Sequence, residues 1–271
     1  MDVGKRQTIN SYFAGGRLFL SRFTWDLNYY SWISRRRLKA WKNRYSGQRA
    51  IILGNGPSLN KVDFEALSKK NIFTFGLNKI YLMFSKIDFR PSVIACADNI
   101  QIEQNAHFYN ETSLPLFIDS YGTKFIKFRK NVHFLHTGNS TLGKFARDCS
   151  MSICQGYSTT YVCMQLAFHM GFSHVALVGC DHSFITPKGF ANQTLIAGQK
   201  DLNHFDPAYF EEGMKWNWPN LELYEFHYHI AKFVYEQAGR RIVNCTDGGK
   251  LEVFERQSLK EFMKYGSNHN L

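Results

Sequence analysis

Several features that mark particular classes of protein are missing from this sequence. No apolar run reaches 18 residues, so we expect no membrane-spanning helix. The first 30 residues hold only short apolar stretches broken by charge, which argues against a signal peptide. The six cysteines include no Cys-x-x-Cys pair. This spacing argues against a structural zinc site and favours a reducing, cytoplasmic compartment.

Acidic residues are scarce at the start of the chain. Residues 1–49 contain eleven bases and two acids, so this segment carries +9 of the net charge of +11. The rest of the chain is therefore nearly neutral. Because the positive charge is confined to one segment, nucleic acid is not the partner we expect for the whole protein.

Residues 10–45 combine these bases with aromatic residues, among them Trp25, Trp32 and Trp41. The helical spacing of the aromatics predicts a basic, aromatic helical arm over residues 1–48. Such an arm suits an anionic membrane surface, which would place the protein in the cytoplasm on the inner face of the membrane. Packing on the domain, or on a second subunit of a homo-oligomer, explains the arm equally well. The sequence leaves both alternatives open.

From Arg49 onward, short apolar strands alternate with helices. Strands are predicted at Ala50–Leu53, Asn71–Leu77, Ser92–Ala97, Leu116–Asp119, Val132–Leu135, His174–Gly179 and Arg241–Cys245. Helices are predicted over Ser158–Met170 and Leu221–Ala238, and Gly239 ends the second as a C′ glycine would. The alternation predicts an α/β fold: a single Rossmann-like domain over residues 49–271, with a mostly parallel sheet covered on both faces.

The strongest local motif follows the first predicted strand, where Leu53 leads into Gly54-Asn55-Gly56-Pro57-Ser58. Glycines allow a phosphate to approach the backbone, and a helix starting near Ser58 would offer free N–H groups. No Gly-Lys-Ser/Thr follows, so ATP hydrolysis is not indicated. The motif predicts a nucleotide site at Gly54, Asn55, Gly56 and Ser58. A tight turn without a ligand is the alternative.

Other polar residues stand where predicted strands end or a helix begins. They are Asn78, Asp98, Asn99 and Asp181 after strands, and Gly156, Ser158 and Thr159 before a helix. Ligands of parallel sheets bind outside the carboxyl ends of the strands, so these residues are candidate ligand contacts. For each residue alone, a capping or turn role explains it as well.

His204 is the candidate catalytic base. It lies in Asn203-His204-Phe205-Asp206, within a polar stretch of the kind that covers active sites. Transfer to a hydroxyl group needs a base with a pKa near neutral, which histidine supplies, and Asp206 is the candidate to orient it. His182, beside Asp181, is the second candidate.

No Asp-x-Asp sequence follows a predicted strand, so we expect no metal ion held with a nucleotide diphosphate. This absence favours either a metal-independent inverting enzyme or a donor with a single phosphate, which needs less charge compensation.

These motifs carry a resemblance that covers residues 50 to about 250. The turn at 52–59 resembles the opening of bacterial sialyltransferases of glycosyltransferase family 42. It is also similar to the related domain of flagellar motility-associated-factor transferases and of 6-hydroxymethylpterin-diphosphokinase-like proteins. The resemblance continues through Asn78, Gly156–Thr159, Gly171-Phe172, Gly179–Asp181 and Asn203–Phe205, and residues 244–252 resemble the latter two groups.

The resemblance implies a GT-A-like variant of the Rossmann fold and metal-independent, inverting sugar transfer. The donor would be a CMP-activated nonulosonic-type acid sugar, sialic acid-like or Kdo-like, with no further cofactor. The acceptor would be a hydroxyl of a surface glycan or of a lipid-linked glycan. Carried over by position, the donor contacts would be Asn55, Ser58, Asn78, Asp98 and Asn99. The cytidine pocket would be lined by Ser158, Thr159 and Asp181, and His204 would deprotonate the acceptor.

One departure from the resemblance concerns the departing phosphate. In sialyltransferases, tyrosines soon after the aspartate stabilise it, whereas here Asp181 leads into His182-Ser183-Phe184. His182 or Lys188 would replace those tyrosines, and the donor sugar stays undetermined. Two other functions remain open: an ATP-dependent pyrophosphokinase acting on a pterin, and a non-catalytic nucleotide-binding protein.

Overall fold

The computed structural model describes residues 11–138, 143–184, 194–197 and 201–264, with the backbone alone at 11–14 and 17. The strands are β1 Arg49–Leu53, β2 Phe73–Leu77, β3 Val93–Cys96, β4 Leu116–Asp119, β5 Val132–Leu135, β6 Thr137–Gly138, β7 Ile153–Cys154, β8 His174–Val178, β9 Thr194–Ile196, β10 Lys215–Asn217 and β11 Arg241–Asn244. The α-helices are α1 Ser11–Asp26, α2 Tyr29–Trp41, α3 Phe64–Lys69, α4 Asn99–Gln104, α5 Ala106–Glu111, α6 Thr159–Met170, α7 Leu221–Gln237 and α8 Leu259–Lys264.

Seven parallel strands form the central sheet in the order β11-β8-β1-β2-β3-β4-β5. Their side chains are buried on both faces, since separate apolar clusters cover the two sides. The predicted α/β, Rossmann-like fold is therefore confirmed. The strand order reverses at β1, because β2 lies on one side of it and β8 on the other. Such a reversal opens a crevice at the carboxyl ends of the two strands, where ligands of this fold class bind.

Two small pairs of strands are additions that the sequence did not predict. β6 pairs with β7 in parallel, and β9 pairs with β10 as an antiparallel ribbon. The ribbon lies between β8 and α7, beside the segment that carries His204. Both pairs are too short to show an apolar period, which is the signal that sequence analysis uses.

The predicted helical arm divides into two parts in the structure. α2 lies along β5, the edge strand of the sheet. Ser34 Oγ accepts a hydrogen bond from the Phe134 amide at 3.2 Å, and an Arg37 amino group donates to the Val132 carbonyl at 2.9 Å. Leu38 belongs to one of the apolar clusters. α2 therefore covers the open edge of the sheet, where backbone groups would otherwise lack partners.

α1 contacts the body mainly through one residue. Trp25 is buried, and its ring stacks on His136 with centroids 5.9 Å apart. In the described part of the chain, no helix has both the length and the apolar character needed to cross a bilayer.

Candidate functional site

An open cleft with a cavity volume of about 180 Å³ lies at the carboxyl ends of β1 and β8, where the strand order reverses. Its position is the one at which ligands of this fold class bind. The residues that line it include Gly54, Asn55, Gly56, Asn78, Asp98, Gln155, Tyr157, Ser158, Thr159, Thr160, Asp181, His182, Phe184, Asn203, His204, Tyr209, Tyr224 and Tyr228. The fold thus brings together most of the residues that the sequence singled out.

The two glycines of the turn are required by the protein's own packing. Leu53 pairs with Val178 at the ends of β1 and β8, so the loops that follow the two strands run side by side. A Cβ atom at Gly54 would stand 2.8 Å from the Gly179 carbonyl carbon. A Cβ at Gly56 would overlap the carboxylate of Asp181 and stand 2.6 Å from its Cγ. The glycines therefore allow two loops to touch, a role that needs no ligand.

Ser58 does not occupy the position that the sequence predicted. Its Oγ donates to Asp181 Oδ2 at 2.7 Å, and its amide donates to Asp181 Oδ1 at 3.2 Å. Residues Pro57–Lys61 form a five-residue 3₁₀ helix, and the side chain of Asp181 occupies its start. A carboxylate thus holds both groups in the structure, and the contact of Ser58 with a donor phosphate stays a prediction. Asp181 lines the cleft, as expected, with its carboxylate turned to Ser58.

Asn55 and Asn78 form the floor of the cleft. The Asn55 amide nitrogen donates to the Leu77 carbonyl at 3.0 Å and to the Tyr209 hydroxyl at 2.9 Å. Its amide oxygen is buried and has no partner among the described residues. Asn78 has a positive φ of 45°, and its Oδ1 accepts a hydrogen bond from Thr159 Oγ1 at 3.1 Å. Two hydrogen bonds therefore fix the side chain of Asn55, and its amide oxygen remains an unused hydrogen-bond acceptor.

Of the polar residues at the strand ends, Asp98 lines the cleft and Asn99 does not. Asp98 caps α4, since its Oδ1 accepts from the Gln101 amide at 3.1 Å. Asn99 is the first residue of that helix and does not belong to the lining of the cleft. A donor contact at Asn99 stays a prediction.

The start of α6 presents hydroxyls to the cleft. Ser158 is the N-cap, as the sequence predicted: its Oγ accepts from the Tyr161 amide at 3.1 Å and lies 3.3 Å from the Tyr228 hydroxyl. Gly156 does not line the cleft. Its φ is +55°, and a Cβ there would overlap the ring of Tyr161, so this glycine is a packing requirement. Tyr157, also at positive φ (62°), lines the cleft in its place.

His204 meets a carboxylate, but a different one from the one predicted. Its Nδ1 lies 2.7 Å from Asp201 Oδ2, whereas Asp206 pairs with Lys86 at 2.6 Å. The ring stacks on Tyr209, with centroids 4.0 Å apart and planes at 4°. A histidine that donates from Nδ1 to a carboxylate keeps a basic Nε2, which is the arrangement of a general base. Asp201, not Asp206, orients His204.

The segment around His204 is attached to the glycine turn. The Phe205 amide donates to the Asn55 carbonyl at 2.9 Å, and the Asn60 side chain donates to the Phe205 carbonyl at 2.7 Å. Beneath it, Lys79 is almost fully buried and donates to the Tyr209 carbonyl at 2.6 Å. Burial lowers the pKa of Lys79. These bonds hold the histidine against the floor of the cleft.

His182 forms a second histidine–carboxylate pair at the cleft. Its Nε2 lies 2.9 Å from Glu225 Oε1 on α7, and its backbone has a positive φ of 51°. Lys188, the other candidate for the departing phosphate, lies outside the described residues. In the ranges that the structure covers, no cluster of three or more His, Cys, Asp or Glu side chains is arranged to hold a metal ion.

Comparisons with known proteins decide the family. A family model described as 6-hydroxymethylpterin diphosphokinase MptE-like matches residues 24–187, more than half of the chain. The chain belongs to the MptE-like family. No curated protein matches it.

Among solved structures, the MptE-like chain is similar to the MAf glycosyltransferase from Magnetospirillum magneticum AMB-1, with a TM-score of 0.50 and 14% sequence identity. The alignment covers 88% of this chain and 41% of that one, so the chain spans about two fifths of the length of this neighbour. At this identity the likeness concerns the fold.

The MptE-like match ends at residue 187, before the segment with His204 and before α7. Two tyrosines of α7, Tyr224 and Tyr228, line the cleft, and burial raises the pKa of both hydroxyls. Neither tyrosine was predicted from the sequence as a site residue. Their spacing of four residues places them on one face of a predicted helix, which is the pattern that could have indicated them. By contrast, His227 is buried and bonds the Leu223 carbonyl of its own helix, which agrees with a structural role.

Proposed function

We propose that this MptE-like protein is a metal-independent, inverting glycosyltransferase that moves a nonulosonic-type acid sugar from a CMP-activated donor to a hydroxyl group. The observation that carries the proposal is the His204–Asp201 pair at the cleft where the strand order reverses. The structural neighbour is a glycosyltransferase, which supports the reaction class.

In the proposed reaction, Nε2 of His204 takes the proton of the acceptor hydroxyl as its oxygen attacks the anomeric carbon. The bond between that carbon and the donor phosphate breaks on the opposite face, and CMP leaves with the electron pair. Asp201 stabilises the imidazolium that forms, as the carboxylate of a catalytic triad does. No metal ion takes part in these steps.

The charge of the cleft supports a donor with one phosphate. Its described lining contains no lysine or arginine, so the cleft offers little compensation for the charge of a diphosphate. His182, held by Glu225, is placed to donate a hydrogen bond to the departing phosphate. Thr159 and Thr160 stand at the start of α6, whose N-terminal dipole favours an anion.

The family takes its description from a 6-hydroxymethylpterin diphosphokinase, which makes an ATP-dependent pyrophosphokinase the second candidate. That reaction requires Mg²⁺ held by carboxylates. Two carboxylates of the cleft, Asp98 and Asp181, are the candidates to hold Mg²⁺. Both already accept hydrogen bonds, since Asp98 caps α4 and Asp181 binds Ser58. These bonds favour the glycosyltransferase over the pyrophosphokinase.

The first experiment compares thermal stabilisation by CMP, UDP, GDP and ATP, each with EDTA and with Mg²⁺. A ligand that binds the native state at 100 times its Kd adds about 2.7 kcal/mol to the free energy of unfolding. We expect CMP to raise Tm equally in EDTA and in Mg²⁺. Stabilisation by ATP that requires Mg²⁺, with none by CMP, would favour the pyrophosphokinase instead.

The second measurement concerns the base. His204→Ala should lower kcat of transfer by about 10²–10⁴-fold and leave the Kd for CMP nearly unchanged, because the base acts on the acceptor. His229→Ala, on the exposed side of α7, is the matched control and should transfer at the normal rate. Normal turnover of the His204 variant would remove the proposed mechanism.

A further inference from the structure

α1 carries a row of exposed apolar side chains. At 3.6 residues per turn Phe19, Leu20 and Phe23 fall within about 100° of the helix circumference. Their exposed fractions are 68%, 60% and 50%, and Leu27, which directly follows the helix, is 68% exposed. An apolar face of this width is normally buried in a globular protein.

The opposite side of α1 faces the body of the protein. Trp25 is 7% exposed and stacks on His136, and Arg22 donates to the Met151 carbonyl at 2.7 Å. These contacts fix the rotation of the helix about its axis. The apolar row therefore points outward because of how α1 is attached.

α2 continues this surface with a second exposed row. Tyr29 and Trp32 are 71% and 68% exposed, and Arg36 and Lys39 follow at helical spacing. The opposite face of α2, with Ser31, Ser34 and Leu38, is buried. Trp32 Nε1 donates to the Asp26 carbonyl at 2.7 Å, so the exposed indole lies against the last turn of α1.

The charge of this surface is positive. Asp26, the acid of the two helices, is paired with both Arg22 and Arg35, which lower the pKa of its carboxyl. Within the described residues, Arg36 and Lys39 form no ion pair. The two helices thus present aromatic and aliphatic side chains next to unneutralised bases.

We propose that the exposed rows of α1 and α2 dock on an anionic lipid surface. Aromatic residues prefer the depth of the headgroups, and each base near an anionic leaflet adds a salt-sensitive attraction. A protein partner would need acidic groups opposite Arg36 and Lys39 and an apolar surface opposite the exposed rows. An anionic lipid leaflet supplies negative charge and apolar chains along its whole surface.

The test is co-sedimentation of the full chain with phosphatidylcholine vesicles that contain phosphatidylglycerol, at low and high salt. Point substitutions are required, because deletion of the arm would remove α2 from the sheet edge. Phe19→Ser/Phe23→Ser/Trp32→Ser should lower the partition coefficient at least 10-fold at both salt concentrations. Arg36→Gln/Lys39→Gln should lower it about 10- to 30-fold at low salt and little at high salt.

The matched control is Phe226→Ser/Phe233→Ser, which removes two exposed aromatics of α7 that are 52% and 60% exposed. We expect it to bind vesicles as the native chain does. Equal loss in this control, or no binding of the native chain to anionic vesicles, would overturn the proposal. A concentration-dependent dimer that the triple variant abolishes, without vesicle binding, would instead assign the surface to a second copy of the chain.

Discussion

The glycine turn after β1 and the segment from Asp201 to Tyr209 lie against each other, yet they use their polar groups in opposite ways. In the turn, the hydroxyl and amide of Ser58 are both bound to Asp181. In the other segment, Asp201 anchors His204 at Nδ1, and His204 lines the cleft. The glycine turn resembles a phosphate site but joins two loops of the protein. The segment with His204 has no recognisable motif but provides the candidate reactive group.

The largest expected effect is the loss of stability caused by a substitution in the glycine turn. Gly56→Ala would place a methyl group on the carboxylate of Asp181 and 2.9 Å from the Gly179 carbonyl oxygen. We expect the free energy of unfolding to fall by about 3 kcal/mol, because neither neighbour is a flexible chain end. Urea unfolding measures it, with Gly16→Ala on α1 as the control, since a Cβ there meets nothing within 4 Å. A stable Gly56→Ala that only loses nucleotide would reverse our interpretation of the turn.

The second prediction tests the other side of the comparison. Asp201→Asn should lower kcat about 10²-fold, because the amide no longer stabilises a protonated His204. Unfolding and CMP affinity should change little. Asp206→Asn is the control: it breaks the pair with Lys86 and should leave kcat within about twofold. If the Asp206 variant is the impaired one, the assignment of Asp201 as the orienting carboxylate is wrong.

The smallest effect should come from Ser58. Ser58→Ala leaves the half-buried carboxylate of Asp181 without its 2.7 Å donor, so we expect a loss of about 1 kcal/mol in stability. Nucleotide affinity should stay within about threefold of the native value. Tenfold weaker binding at unchanged stability would mean that the turn contacts the ligand after all.

The sequence predicted the sheet well because buried parallel strands leave a strong local signal. Leu116–Asp119 and Val132–Leu135 have the predicted bounds, and Gly239 ends α7 with a φ of +66°. The predicted strand at Asn71 starts instead at Phe73, because Asn71 takes a positive φ of 48° and belongs to the preceding turn.

The candidate site was predicted in part, since residues at strand ends share one edge of the sheet whatever their partners are. Which partner each side chain meets depends on contacts between distant segments. Asp181 reaches Ser58 across 123 residues, and Asn55 meets Tyr209 across 154. Asp201 rather than Asp206 meets His204, while Asp206 pairs with Lys86 and accepts from the Ala208 amide. No local pattern contains this information.

Three residues of the cleft, Asn78, Tyr157 and His182, hold a left-handed backbone that L-amino acids other than asparagine seldom adopt. Tyrosine and histidine each lose about 1–2 kcal/mol there relative to glycine. Glycine at either position would raise the melting temperature and remove a side chain from the cleft. Selection for heat resistance alone would therefore favour glycine at positions 157 and 182. If thermostable variants with glycine at these positions lose activity, the two side chains are kept for their chemistry.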